Sequence, residues 1–369
     1  MKKTLAILLS AVMMLGLLAG CGSKTTEQPS TSGTENTETA ALNVGVFYYD
    51  YSDVYISSVR SSMDEQLKAM GVNYTNYDGA GNQAQQTDQI NTAISNGTNL
   101  LVVNIGETSA PDAAQQACDA AKNAGIPIVF FNREVENSVV DSYENCAFVG
   151  TDAAEAGHMQ GEMIGNFLLE NYDAVDLNGD GTISYVLFKG QEGNKEAEYR
   201  TQYSVEDADA ILTEAGKPAL SFYDANNTSK YLVDTTGNWS SQAATDYMNT
   251  ILAAYSEASG NMVELVIANN DGMAEGAISA LQTAGWNVEG GDKVIPVYGV
   301  DAMDSAVQKI ENGQMTGTVK QDAEGMASTI MTLVNNINTG AALMDNTSDF
   351  VVDSDCAKIR VPYATYTGE

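Results

Sequence analysis

Short, nearly continuous apolar runs recur along the chain: Leu42–Tyr49, Leu100–Ile105, Ile126–Phe131, Ala147–Val149, Ile183–Phe188, Val263–Ala268, Val294–Val300 and Thr316–Val319. Between them apolar positions fall three and four apart. That spacing predicts helices over segments such as Tyr55–Met70, Ala84–Asn96, Pro111–Ala124, Ala153–Glu170, Met273–Ala284 and Ala302–Asn312. Pro111 stands where a helix begins, and Gly125 and Gly313 stand where helices stop. Strands apolar on both faces, alternating with helices, predict parallel sheets covered on both sides. A chain of 369 residues exceeds the ~250–300 that one hydrophobic core usually serves. The predicted fold is therefore α/β, with two doubly wound parallel-sheet lobes.

The residues that follow these runs are polar in a consistent way. Asp53, Asn104, Asn132, Asp152, Asn269-Asn270-Asp271 and Asp301 each lie at or just past a strand end. Open parallel sheets bind ligands beyond the carboxyl ends of their strands. Amides and carboxylates gathered there suit a neutral, hydroxyl-rich ligand, because they both give and take hydrogen bonds. For any one of these residues helix capping is explanation enough; recurrence after most of the runs asks for more. No glycine-rich phosphate loop follows a strand, so a phosphorylated ligand is disfavoured.

Charge narrows the field further. With 17 basic and 49 acidic residues the chain carries −32, a surface that repels nucleic acid and anionic lipid. Its single histidine, His158, falls in a helix and reads as a helix-surface residue, which leaves little for zinc or Ser-His-Asp chemistry. Cys118, Cys146 and Cys356, odd in number and scattered, form no disulfide framework and read as buried or half-buried thiols.

Residues 1–20 read as an export signal. Lys2 and Lys3 precede the apolar stretch Leu5 to Leu18, too short to span a membrane comfortably, and Leu18-Ala19-Gly20-Cys21 closes it. That ending resembles a bacterial lipobox, which implies lipid on Cys21 and attachment to the cell membrane by that anchor only. Residues 21–41 are rich in Ser, Thr and Glu and predict a flexible tether. Loss of the two signal lysines takes the net charge to −34.

Asp176, Asn178, Asp180, Thr182 and Ser184 set oxygen side chains at alternate positions around Gly181, as in the first nine positions of an EF-hand calcium loop. Position twelve is Leu187 where that loop has glutamate, so the last carboxylate is expected from elsewhere.

Taken together, these stretches resemble the periplasmic galactose/glucose-binding protein family of ABC transporters, from about Leu42 to Tyr363. The matching segments include Val44-Gly45-Val46 through Asp53, Val103-Asn104, Ile126 to Asn132, Val149 to Asp152, the calcium loop, Lys189-Gly190 to Arg200, Val266 to Asp271, Gly299-Val300-Asp301 and Arg360 to Tyr363. The resemblance implies a type I periplasmic-binding fold, two lobes joined by a three-strand hinge. By it the first lobe spans 42–133 and 321–357, and the second 134–320 and 358–369. A monomer is expected, closing on a hexose that it delivers to a permease and its ATPase, without catalysis. The implied sugar site is Asp53, Tyr55 and Asn104 from the first lobe, Asn194, Glu196, Arg200, Trp239, Asn270 and Asp301 from the second, and Gln321 from the third crossover region. Glu264 is the implied distant calcium ligand. The family has His, Asp and Asn where this chain has Asn194, Glu196 and Gln321, and Gln at Ser184, so the identity of the hexose stays open. Competing readings are a receptor for another monosaccharide such as ribose, a ligand-sensing module for a membrane sensor, and a glycosidase using Asp53 and Asp301.

Overall fold

The computed structural model describes residues 41–368; the signal segment, Cys21 and nearly all of the tether lie outside the described residues. In chain order the first elements are β1 (Asn43–Tyr48), α1 (Val54–Met70), β2 (Asn73–Asp78), α2 (Gln83–Ser95), β3 (Leu100–Val103) and α3 (Pro111–Ala124). Then come β4 (Ile128–Phe131), α4 (Asn137–Val140), β5 (Cys146–Gly150), α5 (Ala153–Val175), β6 (Ser184–Lys189) and α6 (Lys195–Glu214). The short β7 (Ser221–Phe222) and β8 (Leu232–Val233) precede α7 (Ser241–Ala254), β9 (Leu265–Ala268), α8 (Asp271–Thr283) and β10 (Val297–Asp301). The chain ends with α9 (Asp304–Glu311), β11 (Gly317–Gln321), α10 (Ala323–Asn338), β12 (Val351–Val352), β13 (Lys358–Arg360) and β14 (Tyr363–Tyr366).

Two sheets result. The first has the order β12-β13-β5-β4-β3-β1-β2, parallel except where β12 runs against β13. The second runs β14-β11-β10-β9-β6-β7, with β8 also on β6, and only β14 is antiparallel. Their central strands are buried along their whole length, as continuous apolar sequences require. Helices cover both faces of each sheet, and each lobe has its own apolar core on either side of its sheet.

The chain crosses between sheets three times: from β5 into α5 around Thr151–Asp152, from β11 into α10 at Asp322, and from β13 into β14 at Val361–Pro362. This corrects two of the expected lobe boundaries. β5 belongs to the first sheet, not to a second lobe beginning at 134, and β13 pairs with β5 rather than joining the second lobe at 358. The fold class and the three-strand connection stand as expected. Six strands escape the apolar pattern, three of them (β7, β8 and β12) only two residues long. β2 (Asn-Tyr-Thr-Asn-Tyr-Asp) is an edge strand with one half-wet face, and β13 and β14 carry polar residues at the hinge.

Within the second lobe α5 packs tightly on α6, and the reason is a stripe of glycines four apart. A Cβ on Gly157 would meet the Tyr199 carbonyl oxygen at 2.5 Å, and one on Gly161 the Tyr203 carbonyl oxygen, also at 2.5 Å. On Gly165 it would strike the Ile211 side chain at 2.8 Å. Backbone carbonyls cannot yield, so Gly161→Ala must pry the helices apart. Overpacking of this kind typically costs about 1–3 kcal/mol. Urea denaturation should show that loss for Gly161→Ala, while Glu162→Ala on the exposed side of α5 should leave stability nearly unchanged.

Candidate functional site

In the first sheet the strand order reverses between β1 and β3, and in the second between β6 and β9. Such reversals open crevices beyond the strand ends. The two crevices face one another. Tyr49, Asp53, Tyr55, Asn132, Arg133, Asn194, Glu196, Arg200, Trp239, Asn270, Asp301 and Gln321 line one small cavity, about 370 Å³ with its open mouth included.

Capping explains how several of these side chains are aimed. The Asp53 carboxylate caps α1 through the Ile56 amide at 2.9 Å, Asn194 caps α6 through the Ala197 amide at 3.0 Å, and Asn270 caps α8 through the Met273 amide at 2.9 Å. Three helix N-termini are thereby directed at one space, with their positive ends toward any electron-rich ligand. Each cap uses one oxygen; the second Asp53 oxygen takes the Tyr49 hydroxyl and the Asn270 side-chain nitrogen donates to the Trp239 carbonyl at 3.4 Å, while all three side chains line the cavity. Asp152, by contrast, is an exposed cap on the Ala154 amide and lies outside the cavity.

Two walls are charged. Arg200, 3% exposed, donates to the Asn269 carbonyl at 2.9 Å, to Gln321 Oε1 at 3.0 Å and to the Tyr363 hydroxyl at 2.9 Å. Burial works against its charge, but Tyr363 and Asp301 hold the guanidinium above its ordinary pKa. Burial drives the Asp301 carboxyl well up, with Arg200 pulling it back. Glu196 is raised by burial and by nearby Glu134, and Asp53 by burial, against the pull of the Tyr49 hydroxyl that donates to it at 2.5 Å. Three polar atoms of the walls have no partner: Glu196 Oε2, Arg200 Nε and Gln321 Nε2, on residues 4%, 3% and 3% exposed. A buried polar atom left so costs about 1–3 kcal/mol, more if charged.

Trp239 lies flat against Gly190: a Cβ there would fall 2.1 Å from the indole ring. Trp239 itself has φ 56°, Asn132 has φ 62° and Asp301 φ 128°, backbone states that cost about 1–3 kcal/mol each and cluster at functional sites.

One expected sugar residue is displaced. Asn104 is fully buried behind the wall, accepting from the Tyr49 amide at 3.3 Å and donating to the Phe131 carbonyl at 3.1 Å. It donates also to Asn132 Oδ1 at 3.2 Å, and Asn132 is what reaches the cavity. Asn132 stood after an apolar run and was legible by that signal; Arg133 and Tyr49 were not. Arg133 packs on the Tyr49 ring, 3.6 Å from its centroid, and donates across the cleft to Gln191 Oε1 at 2.9 Å.

The loop at 176–184 is tied to its own amides. Asp176 accepts from the Asp180 and Gly181 amides, Asn178 from the Asp180 amide, and Asp180 from the Thr182 amide. Glu264, fully buried, accepts from the amides of Leu177, Asn178 and Ser184 and from the Ser184 hydroxyl, so it clasps the loop to the sheet. The donors are all oxygen and suit a hard cation. Among the described residues no three His, Cys, Asp or Glu side chains are grouped to hold one ion, so neutral oxygens would have to complete the set. Elsewhere, the three cysteines are free and buried. His158 lies between α5 and α6, paired with Asp207 at 2.6 Å and stacked on Tyr203, away from the cavity.

Residues 44–342 match the periplasmic binding protein domain. The chain belongs to that family, and it is a binding protein, not an enzyme. It is 33% identical over 333 residues to the D-galactose/methyl-galactoside binding periplasmic protein MglB of Haemophilus influenzae, covering 90% of this chain and 91% of that one. Its fold matches that of an ABC transporter solute binding protein from Bacillus halodurans with bound myo-inositol, at TM-score 0.67 and 22% identity, over 90% of this chain and 96% of that one. A Clostridium phytofermentans solute binding protein with bound β-D-glucose matches equally well, at TM-score 0.67 and 21% identity, over 88% and 94%. Among the described residues no helix is long and apolar enough to cross a membrane.

Behind Asp301, Asp271 accepts from the Met303 amide at 2.8 Å and the Thr318 hydroxyl at 2.7 Å, and burial pushes its carboxyl up to about 7. A carboxyl raised on folding binds more protons in the native state than in the unfolded one. Its contribution to stability is therefore complete below the unfolded value near 4 and is lost as pH rises to about 7. Denaturant unfolding of the ligand-free protein between pH 4.5 and 7.5 should show that decline, and Asp271→Asn should reduce it, the raised carboxyls of Asp53, Glu196 and Asp301 supplying the remainder.

Proposed function

We propose that this protein is the extracytoplasmic receptor of an ABC transporter, which captures a hexose, D-galactose or D-glucose, and presents it to the permease. What carries the reading is the set of buried, unpartnered atoms on Glu196, Arg200 and Gln321 around one small cavity. A neutral ring bearing hydroxyls on its rim can satisfy donors and acceptors at once, whereas an apolar ligand satisfies none. Asp53, Glu196, Arg200 and Asp301 would make charge-assisted bonds to those hydroxyls. Tyr55 and Trp239 would cover the less polar ring faces and exclude water. The similarity to the galactose-binding protein of Haemophilus influenzae supports galactose. Lipid on Cys21 and the tether after it would keep the receptor beside its permease at high local concentration.

Titrating the protein with D-galactose and D-glucose should change tryptophan emission, and Trp239→Phe should remove the change. Asp53→Ala should weaken binding by about 10- to 100-fold, since hydrogen bonds to charged groups contribute ~1.5–3 kcal/mol. No response to any hexose or other monosaccharide would refute the reading, and a sugar altered on incubation would contradict a pure binding role.

We also propose calcium at the loop, held by Asp176, Asn178, Asp180 and Thr182 with neutral oxygens completing the set, Glu264 joining only on releasing the loop amides and Ser184 contributing at most through water. The ion's charge would offset carboxylates that otherwise rest on backbone amides. Calcium should raise the melting temperature over a chelator-treated sample, and Asp176→Ala should erase the increment. An unchanged melting temperature would mean that the loop takes no ion.

A further inference from the structure

Glu196 belongs to α6 in the second lobe, yet its Oε1 accepts from the Glu134 backbone amide of the first lobe at 3.1 Å. Its Oε2, buried at the cavity wall, has no partner. One carboxylate thus has one oxygen on the opposite lobe and one on the ligand space.

The amide it grips is held unusually firmly. The Glu134 side chain accepts from Lys358 Nζ and from Arg360 Nη1, the latter at 2.7 Å. Lys358, 1% exposed, donates also to the Val135 carbonyl at 2.6 Å. Arg360 donates to the Thr151 carbonyl at 2.8 Å and to Asp353 at 2.7 Å. Thr151 and Arg360 are the first-sheet ends of two of the three crossovers, so Glu134 is anchored on the hinge itself. Partners of a buried charge are costly to remove, which makes this anchor rigid. The second charged wall has the same logic. Arg200 bonds Gln321, at the remaining crossover, and Tyr363, at the far end of the crossover that Arg360 begins, and the Tyr363 hydroxyl meets Thr151 Oγ1 at 2.8 Å.

We propose that Glu196 is the latch of the cleft: Oε1 clasps the hinge-anchored Glu134 amide when the lobes close, and Oε2 takes a ligand hydroxyl, so that binding and closure share one carboxylate. The coupling to a sugar rests on the function proposed above; the clasp between lobes does not. Length matters here. An aspartate at 196 keeps the charge but lacks the methylene needed to touch ligand and opposite lobe together. The Lys195–Glu136 pair also crosses the cleft at 2.9 Å, but it is exposed at the rim and contributes little.

The test compares wild type, Glu196→Asp and Glu196→Ala in the full folded domain, by small-angle scattering without ligand and by calorimetry with D-galactose and D-glucose. The expected result is a larger ligand-free radius of gyration for both variants, and hexose affinity lowered about fivefold or more, the lower end of ordinary coupling between sites. Glu196→Asp guards against a mere folding defect, since it keeps the buried carboxylate. If affinity falls while the radius stays at the wild-type value, Glu196 is a ligand contact only and the latch is refuted. It is equally refuted if both quantities match wild type. If the variants open but wild type binds no hexose, the latch holds and the sugar reading fails.

Discussion

A guanidinium that is 3% exposed has to be compensated from every side, and Arg200 recruits its compensation from across the molecule. Its hydrogen-bond partners are a strand-end carbonyl of the second sheet, at Asn269, and two crossover residues, Gln321 and Tyr363. Asp301 and Glu196 help keep it charged. Everything else about the cleft follows from this arrangement. The guanidinium ties two of the three hinge crossovers to the second sheet and still ends with hydrogen-bonding capacity unspent on the cavity wall. Nε of the same guanidinium is among the atoms left for a ligand.

The cavity is built economically from elements that the chain needs anyway. Helix N-termini must be capped, and Asp53, Asn194 and Asn270 do so with one oxygen each while standing on the cleft wall. Function therefore rests on ordinary capping chemistry set at two topological reversals. Positive φ at Asn132, Trp239 and Asp301 shows where ordinary geometry was given up. Those three residues lie on the cavity wall.

How legible was this in the sequence? The fully buried strands were, because parallel strands covered on both faces spell continuous apolar runs. β2 was not, since an edge strand with Asn and Thr facing water carries no such run. The hinge was misjudged for a related reason. β13 reads Lys-Ile-Arg because its two cations are committed to Glu134, over two hundred residues away, and local pattern holds no trace of that pairing. Sheet membership of β5 and β13, and with it the lobe boundaries, is set by such distant partners. In the site, residues on helix caps and strand ends were found where expected. Asn104 was one layer too deep: it sits in line with the wall in sequence, but its amide is spent on Phe131 and Asn132. Arg133 and Tyr49 were missed because their roles come from stacking across loops. The glycines of α5 were silent too, since only their spacing against α6 gives them meaning.

The most direct test is a crystal structure of the protein grown with D-galactose or D-glucose. The account predicts a single sugar ring between Tyr55 and Trp239, with hydroxyl oxygens within hydrogen-bond distance of Glu196 Oε2, Arg200 Nε and Gln321 Nε2. A sugar seated elsewhere, or these three atoms satisfied by protein groups alone with the cavity free of sugar, would contradict it.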